Sequence, residues 1–330
     1  MNTQAQIAVG AARPARAEQL KRALFRGDDL HVRNPEYLAV VATFLEELFL
    51  SDLGPGDLTV EALGLGRERA SARVVAKEPG VAAGIEEFQW LLRRSEISVK
   101  PLKKDGDPIE RDEVLVEIEG RRRDLLTYER TGLNLLQRMS GIATMTRRLQ
   151  ERVQRRNPGT FVVATRKTPW GLLDKRAVHL GGGGTHRLGL HDAILIKNNH
   201  LALLGGSEEE AVALAIERAW AFRQTAAFIE IEVRSVQTAV AAAQAFRRLQ
   251  EQDSTSCPCL LLLDNMDPQQ VRRTVDALRS DRLWEHVLME VSGNISESNI
   301  EDYAACGADA LSLGALTHSP RALDFCLRIS

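Results

Sequence analysis

The feature that most constrains the fold is an alternation of short apolar runs and amphipathic helical segments in the second half of the chain. The apolar runs are Phe161–Ala164, Ala193–Ile196, Phe228–Val233, Leu260–Leu263, Val287–Val291 and Ala310–Leu313. The helical segments are Glu208–Arg223, Val236–Leu249, Pro268–Leu278 and Glu297–Ala305. Apolar strands that alternate with amphipathic helices are typical of a parallel sheet covered by helices. The pattern therefore predicts an α/β barrel, complete or open, in preference to a doubly wound sheet.

The first half of the chain has a different pattern. Asn34-Pro35 predicts a helix start, with a capping residue followed by proline at the first helical position. Strand-like pieces follow at Ala72–Val75, Ile97–Pro101 and Val114–Ile118, which together indicate a small α+β layer domain. The stretch Arg123–Leu149 then predicts a long helix, with an expected break near Ser140-Gly141.

A chain of 330 residues is long enough for two domains. We predict an N-terminal extension of low order over residues 1–34 and an α/β sandwich domain over residues 35–135. An open parallel α/β barrel is predicted over residues 136–318, and residues 319–330 are expected to pack back on the sandwich domain.

Composition argues against several classes of partner. Lys and Arg number 43 against 45 Asp and Glu, so a bulk electrostatic partner such as nucleic acid or an anionic membrane is not expected. Neither a membrane-spanning apolar run nor the apolar core of a signal peptide is present, which predicts a cytoplasmic protein. The four cysteines lack a second pair at zinc-site spacing, and we interpret them as reduced thiols.

Polar and glycine residues follow or end each apolar run. They are Arg166-Lys167, Lys197 to His200, Glu230 and Glu232, Asp264-Asn265, Ser292-Gly293-Asn294, and Gly314. In a parallel barrel these positions share the carboxyl-end face, where barrel active sites are built. Cations on the first two strands, carboxylates on the next two and glycine turns on the last two suit a substrate with an anionic head, a ribose-like or metal-bound middle and a terminal phosphate.

Two further segments carry candidate residues. Gly181 to Gly184 leads directly to Thr185-His186-Arg187, and a glycine run that ends in His-Arg is unusual for a flexible linker. Arg130 lies within an otherwise apolar helical stretch, and the residues alone allow either a functional role or a surface salt bridge with Glu129.

At these positions the sequence resembles the quinolinate phosphoribosyltransferase family, also called nicotinate-nucleotide pyrophosphorylase (carboxylating). The resemblance runs from about residue 35 to 328, with the motifs in the family's order. The matching stretches are Ser51–Asp57, Glu129–Asn134, Gln137–Thr144, Thr165–Pro169, Gly181–Arg187, Leu195–His200, Glu230–Val233, Leu263–Met266 and Gly314–Ser319.

The resemblance implies an α/β sandwich domain before an open α/β barrel. It also implies the reaction of quinolinate with phosphoribosyl pyrophosphate, giving nicotinate mononucleotide, pyrophosphate and carbon dioxide. By the resemblance, the quinolinate dianion is bound by Arg130, Arg166, Lys167, His186 and Arg187. In the family the counterpart of Arg130 comes from a neighbouring subunit, which implies a homodimer or larger assembly with shared active sites.

The resemblance also assigns the remaining strand-end residues. Glu232 and Asp264 match the carboxylates near the ribose and Mg²⁺, and with Lys197 they form the expected catalytic set. The phosphoribosyl and phosphate groups are assigned to Lys197, Ser292, Gly293, Asn294, Gly314 and His318. Mg²⁺ is the one expected cofactor, held by Glu232 and Asp264 directly or through water.

The sequence departs from the family's common pattern at Asn198, Thr185, His179 and Asn294, and in a shortened segment that contains Trp170. These departures keep open a same-fold phosphoribosyltransferase for another acidic aromatic base, of the kind seen in molybdenum-associated paralogues. The residues also leave open a Schiff-base aldolase or lyase that uses Lys197, and a binding protein without catalytic activity.

Overall fold

The computed structural model describes residues 15–66, 68–253 and 257–329, which contain twelve α-helices and twelve β-strands. The helices are α1 (Arg16–Leu24), α2 (Pro35–Leu53), α3 (Leu58–Ala62), α4 (Ile85–Leu92), α5 (Arg122–Arg156), α6 (Leu172–Leu180), α7 (Asn198–Leu204), α8 (Glu208–Trp220), α9 (Val236–Gln252), α10 (Pro268–Ser280), α11 (Ile300–Ala304) and α12 (Ala315–His318). The strands are β1 (Arg69–Ala76), β2 (Gly80–Val81), β3 (Ser98–Pro101), β4 (Pro108–Ile109), β5 (Val114–Arg121), β6 (Phe161–Val163), β7 (Ile194–Ile196), β8 (Ile229–Val233), β9 (Cys259–Asp264), β10 (Leu288–Ser292), β11 (Ala310–Ser312) and β12 (Phe325–Ile329).

The described residues form two compact units. The parallel unit contains residues 15–24, Arg156–Thr160 and Gly189–Ser312, and the antiparallel unit contains Phe25–Arg155, Phe161–Leu188 and residues 313–329. Each unit is assembled from separate stretches of chain, so neither corresponds to one continuous segment.

In the parallel unit the strands lie in the order β11-β10-β9-β8-β7, and every pairing is parallel. Helices α8, α9 and α10 alternate with these strands along the chain. Leu260, Leu261 and Leu263 of β9 are buried on both faces of the strand, as expected for a covered parallel strand. The register sets Ser292 beside Asp264, so the carboxyl ends of β9 and β10 are level.

The antiparallel unit is built on a four-stranded sheet in the order β12-β1-β5-β3. Strand β12, near the end of the chain, pairs with β1, and β1 pairs with β5. Strand β6 also belongs to this unit, where Val163 forms a parallel bridge with Gly184. The expected combination of a smaller α/β domain with a parallel α/β barrel is confirmed as the fold class, whereas the sequential domain boundaries stay a prediction.

Two expectations about order and continuity were wrong. Residues 16–24, placed in an extension of low order, form helix α1, because its apolar face buries Leu20, Ala23 and Leu24. Residues 1–14 lie outside the described part of the chain.

Helix α5 continues through Ser140-Gly141 without the expected break. The Ser140 hydroxyl accepts a hydrogen bond from the Ala83 N–H at 3.0 Å. A Cβ added to Gly141 would lie 2.1 Å from the Arg321 carbonyl oxygen. The small residues therefore allow close packing on a helix that remains continuous.

Other local expectations were met more closely. Asn34 caps α2 by accepting from the Glu36 N–H at 3.0 Å, and Pro35 is the first residue of the helix. The four cysteines are free, and burial raises the pKa of the Cys257 thiol to about 11. Among the helices of residues 15–66, 68–253 and 257–329, none has the length and apolar character needed to span a bilayer.

Candidate active site

The carboxyl ends of β7, β8 and β9 bring together an acidic cluster in the parallel unit. The Asn198 side chain donates from Nδ2 to Oε1 of Glu232 at 2.5 Å. The Arg234 guanidinium lies 3.3 Å from Oε1 of Glu232 and 3.1 Å from Oδ2 of Asp264. Lys197 is the exposed residue between β7 and α7. Both carboxylates therefore contact the Arg234 guanidinium at the carboxyl ends of the parallel strands.

The electrostatics of this cluster favour a bound positive charge. Burial raises the pKa of Glu232, and the nearby Asp264 carboxylate raises it further, while Arg234 and Lys197 act in the opposite direction. The Glu232 and Asp264 side chains retain 12% and 17% exposure, so their oxygens remain accessible from solvent. An all-oxygen set of two carboxylates and one amide fits Mg²⁺, which prefers oxygen ligands.

The turn after β10 is held tightly against the end of β9. Gly293 has a φ of 84°, and a Cβ added there would lie 2.2 Å from Oδ1 of Asn265. Asn294 donates from Nδ2 to that same Asn265 oxygen at 3.2 Å, and the Asn265 N–H donates to the Ser292 carbonyl at 2.9 Å. Glycine is therefore required at 293, where the Asn265 side chain packs directly against the turn.

In the antiparallel unit, the residues after β6 supply two exposed cationic side chains. Arg166 and Lys167 are exposed, and their side chains form no hydrogen bond or ion pair with any residue in the described ranges. A Cβ added to Gly314 would lie 3.1 Å from Cδ of Lys167 and 2.9 Å from Cδ2 of His318. Glycine at 314 therefore lets these two side chains approach the start of α12.

His186 and Arg187 have a different environment, because both side chains are buried. His186 adopts a positive φ of 54°, and its Nδ1 accepts from the Arg187 N–H at 2.7 Å. The preceding Thr185 carbonyl accepts from the buried Lys175 ammonium at 2.6 Å. The Gly183 position has no space for a Cβ, which would meet Thr146 at 2.7 Å. The glycine run is thus a packed segment and does not act as a linker.

Arg130 is exposed on α5 and forms no hydrogen bond or ion pair through its side chain with any residue in the described ranges. It forms no ion pair with Glu129 among those residues, so the alternative of a surface salt bridge is not realised.

Sequence reasoning gave no role to three residues that organise these strand ends: Arg138, Asp174 and Arg234. Arg234 directly follows β8, so its place after a strand was a usable signal. Arg138 and Asp174 lie 36 positions apart and form a partly buried ion pair, which no local pattern could indicate.

Comparison with known proteins places both halves of the chain. A family model described as quinolinate phosphoribosyl transferase, N-terminal domain, matches residues 57–140, and the model of the C-terminal domain matches residues 142–328. The chain is 39% identical over 287 residues to a probable carboxylating nicotinate-nucleotide pyrophosphorylase of Methanothermobacter thermautotrophicus, covering 86% of this chain and 97% of the relative. A Bacillus subtilis protein of the same description is 36% identical over 294 residues, covering 87% and 92% of the two chains. The solved structure of NadC from Streptococcus pyogenes superimposes with a TM-score of 0.76 at 32% identity, covering 88% of this chain and 97% of that one.

Proposed function

The chain belongs to the quinolinate phosphoribosyltransferase family, and we propose that it transfers the phosphoribosyl group of phosphoribosyl pyrophosphate to quinolinate. The products are nicotinate mononucleotide, pyrophosphate and carbon dioxide, in the biosynthesis of NAD. The observation that carries the proposal is the extent of the family match, which covers nearly all of residues 57–328 and includes every strand end with a charged or glycine residue.

Quinolinate recognition is assigned to Arg130, Arg166, Lys167, His186 and Arg187. Quinolinate carries two carboxylates, and arginine suits them because its planar fork donates two parallel hydrogen bonds to one carboxylate. Arg166 and Lys167 support this assignment, since their charges are exposed and without partners in the described residues.

The phosphoribosyl group is assigned to Lys197, Ser292, Gly293, Asn294, Gly314 and His318. Lys197 provides an exposed ammonium for phosphate oxygens. The positive φ of Gly293 and the close approach of Lys167 and His318 to Gly314 support this assignment, because glycine at both positions lets polar side chains pack directly against the backbone at the strand ends.

Catalysis is assigned to Glu232 and Asp264 with Lys197. As pyrophosphate leaves, positive charge develops at the anomeric carbon, and two carboxylates fixed by Asn198 and Arg234 stabilise that charge in the transition state. Mg²⁺, which Glu232 and Asp264 would hold directly or through water, supplies charge neutralisation for the departing pyrophosphate. Decarboxylation needs little from the chain, because the quaternised ring nitrogen of the phosphoribosylated intermediate stabilises the carbanion left at the adjacent carbon until it takes up a proton.

The assay that tests this function combines the protein with quinolinate, phosphoribosyl pyrophosphate and Mg²⁺ and measures nicotinate mononucleotide and carbon dioxide. Equal amounts of the two products support the proposal. Consumption of phosphoribosyl pyrophosphate only with a different acidic aromatic base would favour the paralogue activity. Borohydride trapping of Lys197 with substrate would favour the Schiff-base chemistry.

Asp264→Asn tests the assignment of the carboxylates within that assay. It preserves the shape of the side chain and removes its charge, so we expect kcat to fall at least about tenfold, equivalent to about 1.4 kcal/mol. The quinolinate KM should change little, because the assigned cations are untouched. Full kcat together with lost quinolinate binding would mean that Asp264 acts in quinolinate binding and not on the ribose, which would contradict the assignment.

We further propose a cytoplasmic homodimer, or a larger assembly, with shared sites. Arg130 supports this idea because its charge is exposed on α5 without a partner in the described residues. Arg130→Ala and Lys197→Ala chains should each be inactive, and refolding them together should restore part of the activity through hybrid dimers. Proven hybrids without activity would contradict a shared site.

A further inference from the structure

A three-residue cluster in the antiparallel unit underlies the loop that follows β6. We call Arg138, Asp174 and Trp170 the Arg138 cluster. Arg138 donates from Nε to Oδ1 of Asp174 and from Nη2 to Oδ2, both at 2.8 Å. The Asp174 side chain is fully buried, and the Arg138 guanidinium lies 5.0 Å from the centre of the Trp170 ring. Such a bidentate pair fixes orientation as well as distance.

Asp174 also binds the loop that carries the exposed cations Arg166 and Lys167. Its Oδ2 also accepts from the Thr168 hydroxyl at 2.5 Å and from the Trp170 backbone N–H at 3.2 Å. Phe44 and Trp170 pack edge to face, with ring centres 5.5 Å apart. Thr168 and Trp170, one and three positions after Lys167, are therefore both hydrogen-bonded to one buried carboxylate.

The same guanidinium reaches the segment that begins at Gly314. Nη2 of Arg138 also donates to the Thr317 carbonyl at 2.8 Å. The Thr317 hydroxyl in turn donates to the Lys167 carbonyl at 2.8 Å. The backbone of Lys167 and helix α12, which ends at His318, are thereby held in one hydrogen-bonded chain.

From these contacts we propose that Arg138 is a positioning residue for the transfer reaction. Acting through Asp174 and Thr317, it fixes the loop of Arg166 and Lys167 relative to α12. Its charge is balanced by Asp174, so its effect is exerted through its neighbours. Lysine cannot replace it, because a single ammonium lacks the planar fork that serves two carboxylate oxygens and a carbonyl. The inference rests on the proposed function, since it names the residue that orders the cationic side chains assigned to quinolinate binding.

The parallel unit contains a matched control, the Arg16 cluster of Arg16, Asp309 and Trp284. Arg16 donates to Oδ1 and Oδ2 of Asp309 at 2.7 and 2.5 Å and to the Trp284 carbonyl at 2.6 Å. Its guanidinium also lies 3.8 Å from the centre of the Trp284 ring. The Arg16 side chain is 21% exposed and that of Arg138 is 20% exposed, so the two arginines are equally accessible.

The experiment compares Arg138→Lys and Arg138→Met with Arg16→Lys and Arg16→Met. For each folded variant, kcat and the KM of both substrates are measured, with urea unfolding as a record of stability. We expect both Arg138 variants to raise the quinolinate KM about tenfold to a hundredfold, since a small misplacement of binding groups has effects of that size. Both Arg16 variants should lose stability and keep the quinolinate KM within about twofold of wild type.

Thr168→Val provides a second test if the Arg138 variants fail to fold. It removes the Thr168 hydroxyl that donates to Asp174 and leaves the ion pair of Arg138 and Asp174 intact. We expect it to raise the quinolinate KM about threefold or more. A quinolinate KM within about twofold of wild type in the folded Arg138 variants, or in Thr168→Val where those do not fold, would overturn the inference. If the wild-type protein forms no nicotinate mononucleotide, the proposed function itself fails, and that result is distinct from normal KM values in active variants.

Discussion

The Arg138 and Arg16 clusters have the same three residue types and nearly the same contacts, in two different regions of the molecule. Each has an arginine paired at two points with a buried aspartate, a third bond to a backbone carbonyl and a tryptophan ring beside the guanidinium. They differ in what else the aspartate binds. Comparing them separates the stabilising effect of an ion pair from its effect on a binding site.

Asp309 connects backbone at the amino-terminal ends of two strands. Its Oδ2 accepts from the Met289 N–H at 2.7 Å, and its own N–H donates to the Met289 carbonyl at 2.9 Å. Asp174 instead binds a loop that follows the carboxyl end of β6. Active sites of parallel barrels form at carboxyl ends, while residues at the opposite face contribute to stability. We therefore expect the two aspartates to serve different purposes, according to the strand end whose backbone or loop each one contacts.

The largest expected effect is on stability when one partner is removed. Asp174→Ala leaves the Arg138 charge, the Thr168 hydroxyl and the Trp170 N–H without their acceptor, and breaking a buried pair in this way lowers the free energy of unfolding by about 3–5 kcal/mol. Asp309→Ala should have the smaller effect, because the Asp309 side chain keeps 9% exposure and that of Asp174 keeps none. Urea unfolding of both variants gives the comparison, and a loss below about 1 kcal/mol for Asp174→Ala would contradict it.

Removing both partners sharpens the comparison. Arg138→Met with Asp174→Leu, and Arg16→Met with Asp309→Leu, replace each ion pair by apolar side chains, and such replacements are often neutral for stability. We expect both double variants to regain most of the stability lost in the single aspartate variants. Only the second should have a normal quinolinate KM. A normal quinolinate KM in both double variants would show that packing alone orders the loop that follows β6.

A smaller effect is expected at the link between the loop and α12. Thr317→Val removes the hydroxyl that donates to the Lys167 carbonyl, a bond that contributes about 1 kcal/mol. The quinolinate KM should rise about threefold, with a smaller change in kcat. Steady-state kinetics at saturating phosphoribosyl pyrophosphate measures this change, and an unaltered KM would remove Thr317 from the positioning chain.

The smallest effects concern the two tryptophans. Trp170→Phe and Trp284→Phe each keep a ring beside the guanidinium but weaken its attraction for the charge, which is worth about 0.5–1 kcal/mol at exposed sites. Thermal unfolding should show small losses for both variants, the larger for Trp284→Phe, because the Trp284 ring also lies 4.7 Å from the Arg279 guanidinium. A loss several times larger for Trp170→Phe would mean that its contact with Phe44 outweighs the contact with Arg138.

The sequence predicted the parts of this molecule that depend on local pattern. Runs such as Leu260–Leu263 identified the parallel strands, and Asn34-Pro35 identified a helix start, because periodicity and capping act within a few residues. The break expected at Ser140-Gly141 was wrong because contacts with Ala83 and Arg321, distant in sequence, favour small residues in a continuous helix.

The candidate site was predictable in part for the same reason. Strand ends such as Lys197 and Asp264 could be read from their position after apolar runs. Arg138 stood in a family motif without an assigned role, since its partners Asp174 and Thr317 are remote in sequence. The residues that hold binding groups in place emerge only from the three-dimensional contacts.

The most direct test of the central claim is a calorimetric titration of quinolinate into the wild-type protein and Arg166→Ala. The claim is that the exposed guanidinium after β6, ordered by the Arg138 cluster, binds a quinolinate carboxylate. A charged hydrogen bond contributes about 1.5–3 kcal/mol, so we expect the Kd of the folded variant to rise about tenfold to a hundredfold. An unchanged Kd in a folded Arg166→Ala protein would contradict the account.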